Sequence, residues 1–214
     1  MATYELIIGD KNLSSWSLRA WLLLRQFDLP FEETVIHLDQ PKTRARILSH
    51  SPAGRVPILK AGDLTLWDSL AITEFIAEQH GDLAIWPRVA NRRARARVMA
   101  AEMHAGFEAL RRDLDFDVQS PSPQKTLGVE VVDDIARICD IWRQARHDHS
   151  DDDDEFLFGP FCAADAMFAP VAIRFELYDV ALDPTCQAYV AAVLGLSAVQ
   201  EWLAAARLEK PLFG

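Results

Sequence analysis

The first eighty residues alternate apolar and polar positions in a way that predicts a compact α/β unit. Residues 3–8 are rich in β-formers and read as a strand. Gly9-Asp10-Lys11-Asn12 hands the chain to a helix that runs to Phe27, with Leu18, Trp21, Leu22 and Leu24 as its apolar stripe. Residues 31–38 form a second strand and residues 41–48 a short helix. A third strand carries Val56, Ile58 and Leu59, a fourth is Leu64-Thr65-Leu66-Trp67, and a helix with Leu70, Ile72, Phe75 and Ile76 closes the unit near Gln79. The opening β-α-β order implies a parallel pair, and the short Ala61-Gly62-Asp63 link implies a hairpin. His80-Gly81-Asp82 and Trp86-Pro87 then punctuate a linker. Beyond residue 90 the period is helical throughout. One helix is expected over residues 91–114, another over 127–146, and shorter ones from Ala163, Pro184 and Ala198, with Ala169-Pro170 kinking or ending the first of these. The domain boundaries are therefore 1–80, a linker at 81–90, and 91–214.

Composition narrows the function classes. The net charge of -10 argues against nucleic acid as a partner, and the arginines of residues 91–97 spread around more than one helical face. No apolar run approaches a membrane span, and no signal-peptide pattern opens the chain. Three widely spaced cysteines, Cys139, Cys162 and Cys186, form neither a disulfide framework nor a zinc pattern. These features describe a reduced, cytoplasmic protein with no expected metal. The acidic run at residues 151–155 lacks the spaced ligands and glycine of a calcium loop and reads as a solvated loop.

Two segments carry chemistry. Val56-Pro57 interrupts a strand where proline removes a ladder donor, so it is a candidate cis peptide with the Val56 backbone turned outward. Asp68-Ser69 follows eleven residues later at a helix N-terminus. This pairing suits a peptide with a free amino-acid end: Val56 pairs with its backbone, Asp68 holds its ammonium, and Ser69 with the helix amides holds its carboxylate. An ordinary N-cap satisfies the Asp-Ser pattern equally well. Upstream, Ser14-Ser15-Trp16-Ser17-Leu18-Arg19 marks the first strand-to-helix turn. A hydroxyl at that helix end can donate to a thiolate and lower its pKa, although a plain serine cap has the same sequence.

These motifs, in this order, resemble the glutathione S-transferase family over essentially the whole chain. The resemblance implies a thioredoxin-like N-terminal domain followed by an all-helical C-terminal domain. The serine segment is similar to the Ser-Ser-Cys-x-x-Arg motif of zeta-class enzymes and the Ser-Pro-Phe-x-x-Arg motif of tau-class enzymes. That similarity makes Ser14 the thiolate-stabilising residue, with Ser15 as the neighbouring alternative, and leaves Arg19 to local packing. Arg55, Val56, Pro57, Asp68 and Ser69 match the family's Lys-Val-Pro and Glu-Ser elements and imply the glutathione site. Lys42 stands where a basic residue meets the glycine carboxylate; a solvated lysine opening a short helix fits as well. Glu102-Met103-His104-Ala105-Gly106-Phe107 resembles a beta-class stretch whose histidine faces the glutathione thiol. His104, with Met103, Phe107 and Arg111 on or beside its face, is therefore an expected wall of the electrophile pocket, while core packing is the default for Met103 and Phe107. Arg174 is a further pocket position without a motif behind it.

The segment from Leu157 to Asp165 is similar to the family's Gly-x-x-Ser-x-x-Asp capping box, with Cys162 in the hydroxyl position. Two further departures matter. Trp16 replaces the zeta cysteine, which weighs against maleylacetoacetate isomerase activity, and Asp68 replaces the commoner Glu. The resemblance implies glutathione as co-substrate, a small apolar electrophile and a symmetric homodimer. A glutathione-dependent isomerase or dehalogenase, and a non-enzymatic interaction module on the same fold, are the alternatives.

Overall fold

A computed structural model describes residues 4–122, 126–149 and 154–210. Strand β1 (Tyr4–Ile8) is central, with Leu6, Ile7 and Ile8 fully buried, which explains its unbroken apolar run. Helix α1 (Ser15–Gln26) crosses to β2 (Phe31–Val35), which lies parallel to β1 in the register Tyr4↔Phe31 through Ile8↔Val35. After the short α2 (Thr43–Leu48), β3 (Ile58–Ala61) runs antiparallel to β1, and β4 (Leu64–Leu66) returns along β3. The sheet order is β2-β1-β3-β4. Gly62, at φ +60°, takes the left-handed position that the hairpin turn requires. Helix α3 (Ser69–Gln79) completes the expected β-α-β-α-β-β-α unit.

Strand β2 stops at Val35, short of the expected Leu38, because Asp10 captures the chain beyond it. The Asp10 carboxylate pairs with His37 Nδ1 at 2.6 Å and accepts from the Leu38 amide at 2.6 Å. Strand β3 likewise starts only at Ile58; Val56 and the cis Val56–Pro57 bond precede it, outside the ladder.

The remainder is helical: α4 (Ala90–Ala105), α5 (Glu108–Asp113), α6 (Val129–His149), α7 (Ala163–Leu177), α8 (Pro184–Gly195) and α9 (Ser197–Leu208). The single helix expected over residues 91–114 is in fact two. Gly106 closes α4 through its amide to Glu102 O, and Phe107 adopts φ 62°. That turn sends the Phe107 ring into the core, while Asp134 of α6 accepts from the Leu110 amide in the first turn of α5. Pro170 does not end α7, which continues to Leu177. Every residue from Ala163 to Phe175 is buried, so packing on all sides outweighs the lost backbone bond. Helix α7 packs on α1, α4 and α8, and its neighbour Trp142 of α6 lies 4.6 Å from Tyr189 and 5.4 Å from Phe175, centroid to centroid. Among the described residues no single helix is long and apolar enough to cross a membrane. Thr3 and residues 151–153 of the acidic run lie outside the described residues; the carbonyls of Asp154 and Glu155 accept from Arg146.

Asp165, inside this core, accepts from the amides of Leu157 (3.1 Å) and Cys162 (2.9 Å) and from the Tyr189 hydroxyl (3.1 Å). Burial pushes its pKa up to about 6, against the pull of those donors. An acid whose folded pKa exceeds its unfolded one favours folding in its protonated form. That contribution is complete below the unfolded value of about 3.9 and is lost as pH rises through the folded value. Urea unfolding should therefore show a component in wild type, absent from Asp165→Asn, that falls between about pH 4 and about pH 7. A flat or rising difference would mean that the three donors keep the carboxylate ionised.

Candidate active site

A cavity of about 1060 Å³ opens between the sheet unit and the helical remainder. Its walls gather distant parts of the chain: Ser14 and Trp16 from the start of α1, residues 53–57 before β3, Trp67, Asp68 and Ser69 at the start of α3, and His104 near the end of α4. Of the residues expected from the sequence, Ser14, Arg55, Val56, Pro57, Asp68, Ser69 and His104 share this space.

Ser14 caps α1. Its Oγ accepts from the Ser17 amide at 3.4 Å and donates to Ser17 Oγ at 2.7 Å. Ser15 turns the other way, buried, and accepts from Arg174 Nη2 at 3.3 Å. Asp68 caps α3: Oδ1 accepts from the Leu70 and Ala71 amides at 3.0 and 3.4 Å, and Oδ2 pairs with His104 Nε2 at 2.9 Å. Two of the helix amides expected for a ligand carboxylate are thus already taken. Ser69 Oγ, buried at the cavity wall, has no hydrogen-bond partner, and neither has His104 Nδ1. An orphaned hydroxyl beside an open cavity is the kind of group that a ligand carboxylate satisfies.

The other expected residues lie elsewhere. Lys42 is exposed at the start of α2, away from the cavity lining. Met103 and Phe107 are core residues and do not line the cavity. Arg111 folds back over the end of α4 and donates to the carbonyls of Met103 and Gly106, and to His104 O at 3.3 Å. It caps a helix end and does not line the cavity. His104 lines the cavity, where its Nε2 pairs with Asp68 and its ring meets that of Trp16.

Trp16 is the feature the sequence did not place. The Arg19 guanidinium stands over its half-buried ring at 4.2 Å from the centroid and that of Arg111 at 5.1 Å, with the His104 ring edge-on at 5.3 Å. Arg19 is buried, with Nε and Nη1 unpartnered. Burial, then the like charges of Arg111 and Arg174, bring its pKa down to about 9. Burial and Arg111 lower Arg174 to about 10, while it donates to Leu114 O at 2.7 Å. All three remain cations at neutral pH, so positive charge sits beneath Trp16 and the start of α1. The arginine five residues after Ser14 was legible as a motif member, but its stacking on Trp16 needed the i, i+3 spacing of positions 16 and 19 to be weighed as a contact. Among the described residues the donor atoms of Cys139, Asp183 and Cys186 lie within 4.8 Å of one another, far from this cavity in sequence and lining. Asp183 already accepts from two amides and from Arg143, which leaves it poorly placed to hold a metal.

Residues 13–79 match the family model described as "Glutathione S-transferase, N-terminal domain". A probable maleylacetoacetate isomerase from Caenorhabditis elegans is 28% identical over 100 residues, covering 47% of this chain and 46% of that protein. Glutathione S-transferase GstB from Escherichia coli is 33% identical over 92 residues, 42% of this chain and 44% of its own length. The matched stretch spans less than half the length of these relatives. Over the whole fold, a bacterial zeta-class maleyl pyruvate isomerase superposes with TM-score 0.75 at 23% identity, covering 97% of this chain and 100% of that one. A glutathione transferase homolog from a Burkholderia strain, solved with bound glutathione, gives TM-score 0.70 at 23% identity with the same coverage. At that identity these neighbours establish the fold, a thioredoxin-like domain with a four-stranded mixed sheet followed by helices.

The Arg19–Trp16–Arg111 stack makes a prediction independent of any ligand. Trp16→Leu should lower stability by about 1–4 kcal/mol, since two cation–π contacts of roughly 0.5–2 kcal/mol each disappear. The check is the urea midpoint at unchanged slope; an unaltered midpoint would show that the stack contributes nothing.

Proposed function

We propose that the chain, whose residues 13–79 match the glutathione S-transferase N-terminal domain, is a glutathione-dependent enzyme of that family that activates the tripeptide thiol at Ser14 for attack on a small electrophile. One observation carries this reading: Ser14, Val56, Asp68 and Ser69 line a single cavity to which the N-termini of α1 and α3 both contribute. In it the γ-glutamyl ammonium meets Asp68, its carboxylate meets the orphaned Ser69 hydroxyl, and the Val56 backbone, outside the ladder, pairs with the cysteinyl residue. Arg55, at the cavity rim, is the cation left for the glycine carboxylate, since Lys42 lies outside. This arrangement directs the thiol toward Ser14.

The chemistry follows from charge. A free thiol has a pKa of about 8.5 and is mostly protonated at neutral pH. A hydroxyl donating to the thiolate contributes ~1.5–3 kcal/mol, roughly one to two pKa units, and the start of α1 adds ~0.3–1 kcal/mol. The buried guanidinium charges below Trp16 act in the same direction. The thiol proton leaves to solvent, the sulfur forms a bond to the electrophilic carbon, and the leaving group departs with its electron pair. We carry over the symmetric homodimer as part of the same proposal.

A second reading, a glutathione-dependent isomerase, is favoured by the whole-chain likeness to the maleyl pyruvate isomerase. Glutathione affinity followed by assays on aryl halides, epoxides, hydroperoxides and maleyl compounds separates the readings. A transferase leaves glutathione joined to its substrate, an isomerase converts a maleyl compound without net consumption, and a reductive dehalogenase releases halide while two glutathiones are oxidised to their disulfide and no conjugate remains. Retention of glutathione with no turnover on any of them leaves the non-enzymatic module.

Ser14→Ala should raise the thiol pKa of bound glutathione toward the free value of about 8.5. Thiolate absorbance at neutral pH and turnover fall together, while affinity for an S-alkyl glutathione stays close to wild type. If Ser15→Ala gives that pattern and Ser14→Ala does not, the activating residue is Ser15.

Asp68→Ala should weaken glutathione binding by ~1.5–3 kcal/mol, about ten- to a hundredfold in Kd, with the bound thiol titration unchanged. Calorimetry that finds equal affinity in the two proteins would remove Asp68 from the ammonium site.

A further inference from the structure

We infer that Ser17 is a positioning residue for the thiol-activating hydroxyl: the Gly9 amide, the Ser17 hydroxyl and the Ser14 hydroxyl form one chain of donors that ends at the bound thiolate. The inference rests on the reading of Ser14 as the thiol-facing residue. Ser17 is fully enclosed in the first turn of α1 and does not line the cavity. Its Oγ accepts from the Gly9 amide at 3.1 Å and from Ser14 Oγ at 2.7 Å. Gly9 can approach this closely because it has no side chain. A Cβ there would come within 2.8 Å of Leu38 Cδ1 and 3.0 Å of Ser14 Cβ.

A serine hydroxyl has one proton, and that of Ser14 points at Ser17. A thiolate at Ser14 needs that proton. Once it turns to the sulfur, two oxygens face each other at 2.7 Å with no proton between them, a repulsive arrangement. Ser17 relieves it by turning its own O–H into the gap, while the Gly9 amide continues to hold the Ser17 oxygen. The resulting order is Gly9 N–H to Ser17 O–H to Ser14 O–H to thiolate, each donor polarised by the one behind it. No bond breaks and no proton changes owner; two hydroxyl rotors turn. Without Ser17 the Ser14 hydroxyl loses its fixed direction, and its donation to sulfur weakens.

The test is the thiol titration of bound glutathione in the full-length protein, read by thiolate absorbance. Ser17→Ala should move its midpoint up by about half to one pH unit and lower kcat severalfold, with KM for glutathione and affinity for S-methylglutathione unchanged. Because Ser17 acts through Ser14, the double variant Ser14→Ala/Ser17→Ala should titrate like Ser14→Ala alone. Ser17→Thr and Ser17→Val have the same shape and differ only in the hydroxyl, so they decide the matter if the alanine variant does not fold. The threonine variant should keep the wild-type midpoint and the valine variant should not. If Ser14→Ala moves the titration and neither Ser17→Ala nor Ser17→Val does, the donor chain is overturned while the role of Ser14 stands. If no variant moves it, including Ser14→Ala, the reading of Ser14 itself is overturned.

Discussion

Helix α7 has no polar face, so it is stable in water only if neighbours enclose it on every side. That constraint organises the molecule. The enclosing surfaces come from α4 and α8 of the helical remainder and from α1 of the sheet unit, which therefore cannot be packed separately from the rest. Leu18, Trp21 and Leu22 bury against the common core and fix the direction of α1. Its first turn, with Ser14, is thereby held at the seam where the two parts meet. Asp165 reinforces the same enclosure by joining the start of α7 to the Leu157 loop and to Tyr189 of α8.

The cavity is a consequence of that seam. One wall is the loop before β3 with the N-termini of α1 and α3, and the other is the end of α4. Two features of the helical side shape it. The break at Gly106-Phe107 ends α4 there, so that His104 reaches Asp68 across the gap. Arg111 then satisfies the carbonyls exposed at the break and places its guanidinium over Trp16. A chain with net charge -10 thus concentrates two buried guanidinium groups, Arg19 and Arg174, and the half-buried one of Arg111 where a thiolate would have to be stabilised. The sum of charges along the sequence conceals this completely.

Much of the fold was legible because its signals are local. Strand period, the hairpin at Gly62, and the caps at Ser14 and Asp68 depend on a few adjacent residues, and each stands where the sequence puts it. What the sequence did not give depends on distant partners. Residues 91–114 carry a continuous helical period, yet the burial of Phe107 and the Asp134 cap on α5 break it. Pro170 reads as a stop, but enclosure carries α7 through it. Met103 and Phe107 both pack in the core, their default reading from sequence; Met103 does so from within α4, and Phe107 through the turn that follows Ala105. Strand β2 ends early because Asp10, 28 residues before Leu38, claims its amide. At the site, the order of Ser14, Val56-Pro57 and Asp68-Ser69 sufficed to bring out the cavity residues. Ser17 was passed over, and Trp16 was read only as a departure from the zeta motif, because what distinguishes them structurally is a partner outside their own turn, Gly9 for one and Arg111 for the other.

The central claim is that one tripeptide spans this cavity, with its sulfur at α1 and its amino-acid end at α3. A crystal structure of the protein with glutathione tests it most directly. The account predicts the sulfur within hydrogen-bonding distance of Ser14 Oγ, the ammonium on Asp68, and the γ-glutamyl carboxylate on Ser69 Oγ. A tripeptide bound in the reverse sense, or with its sulfur directed at His104 and away from Ser14, would contradict it.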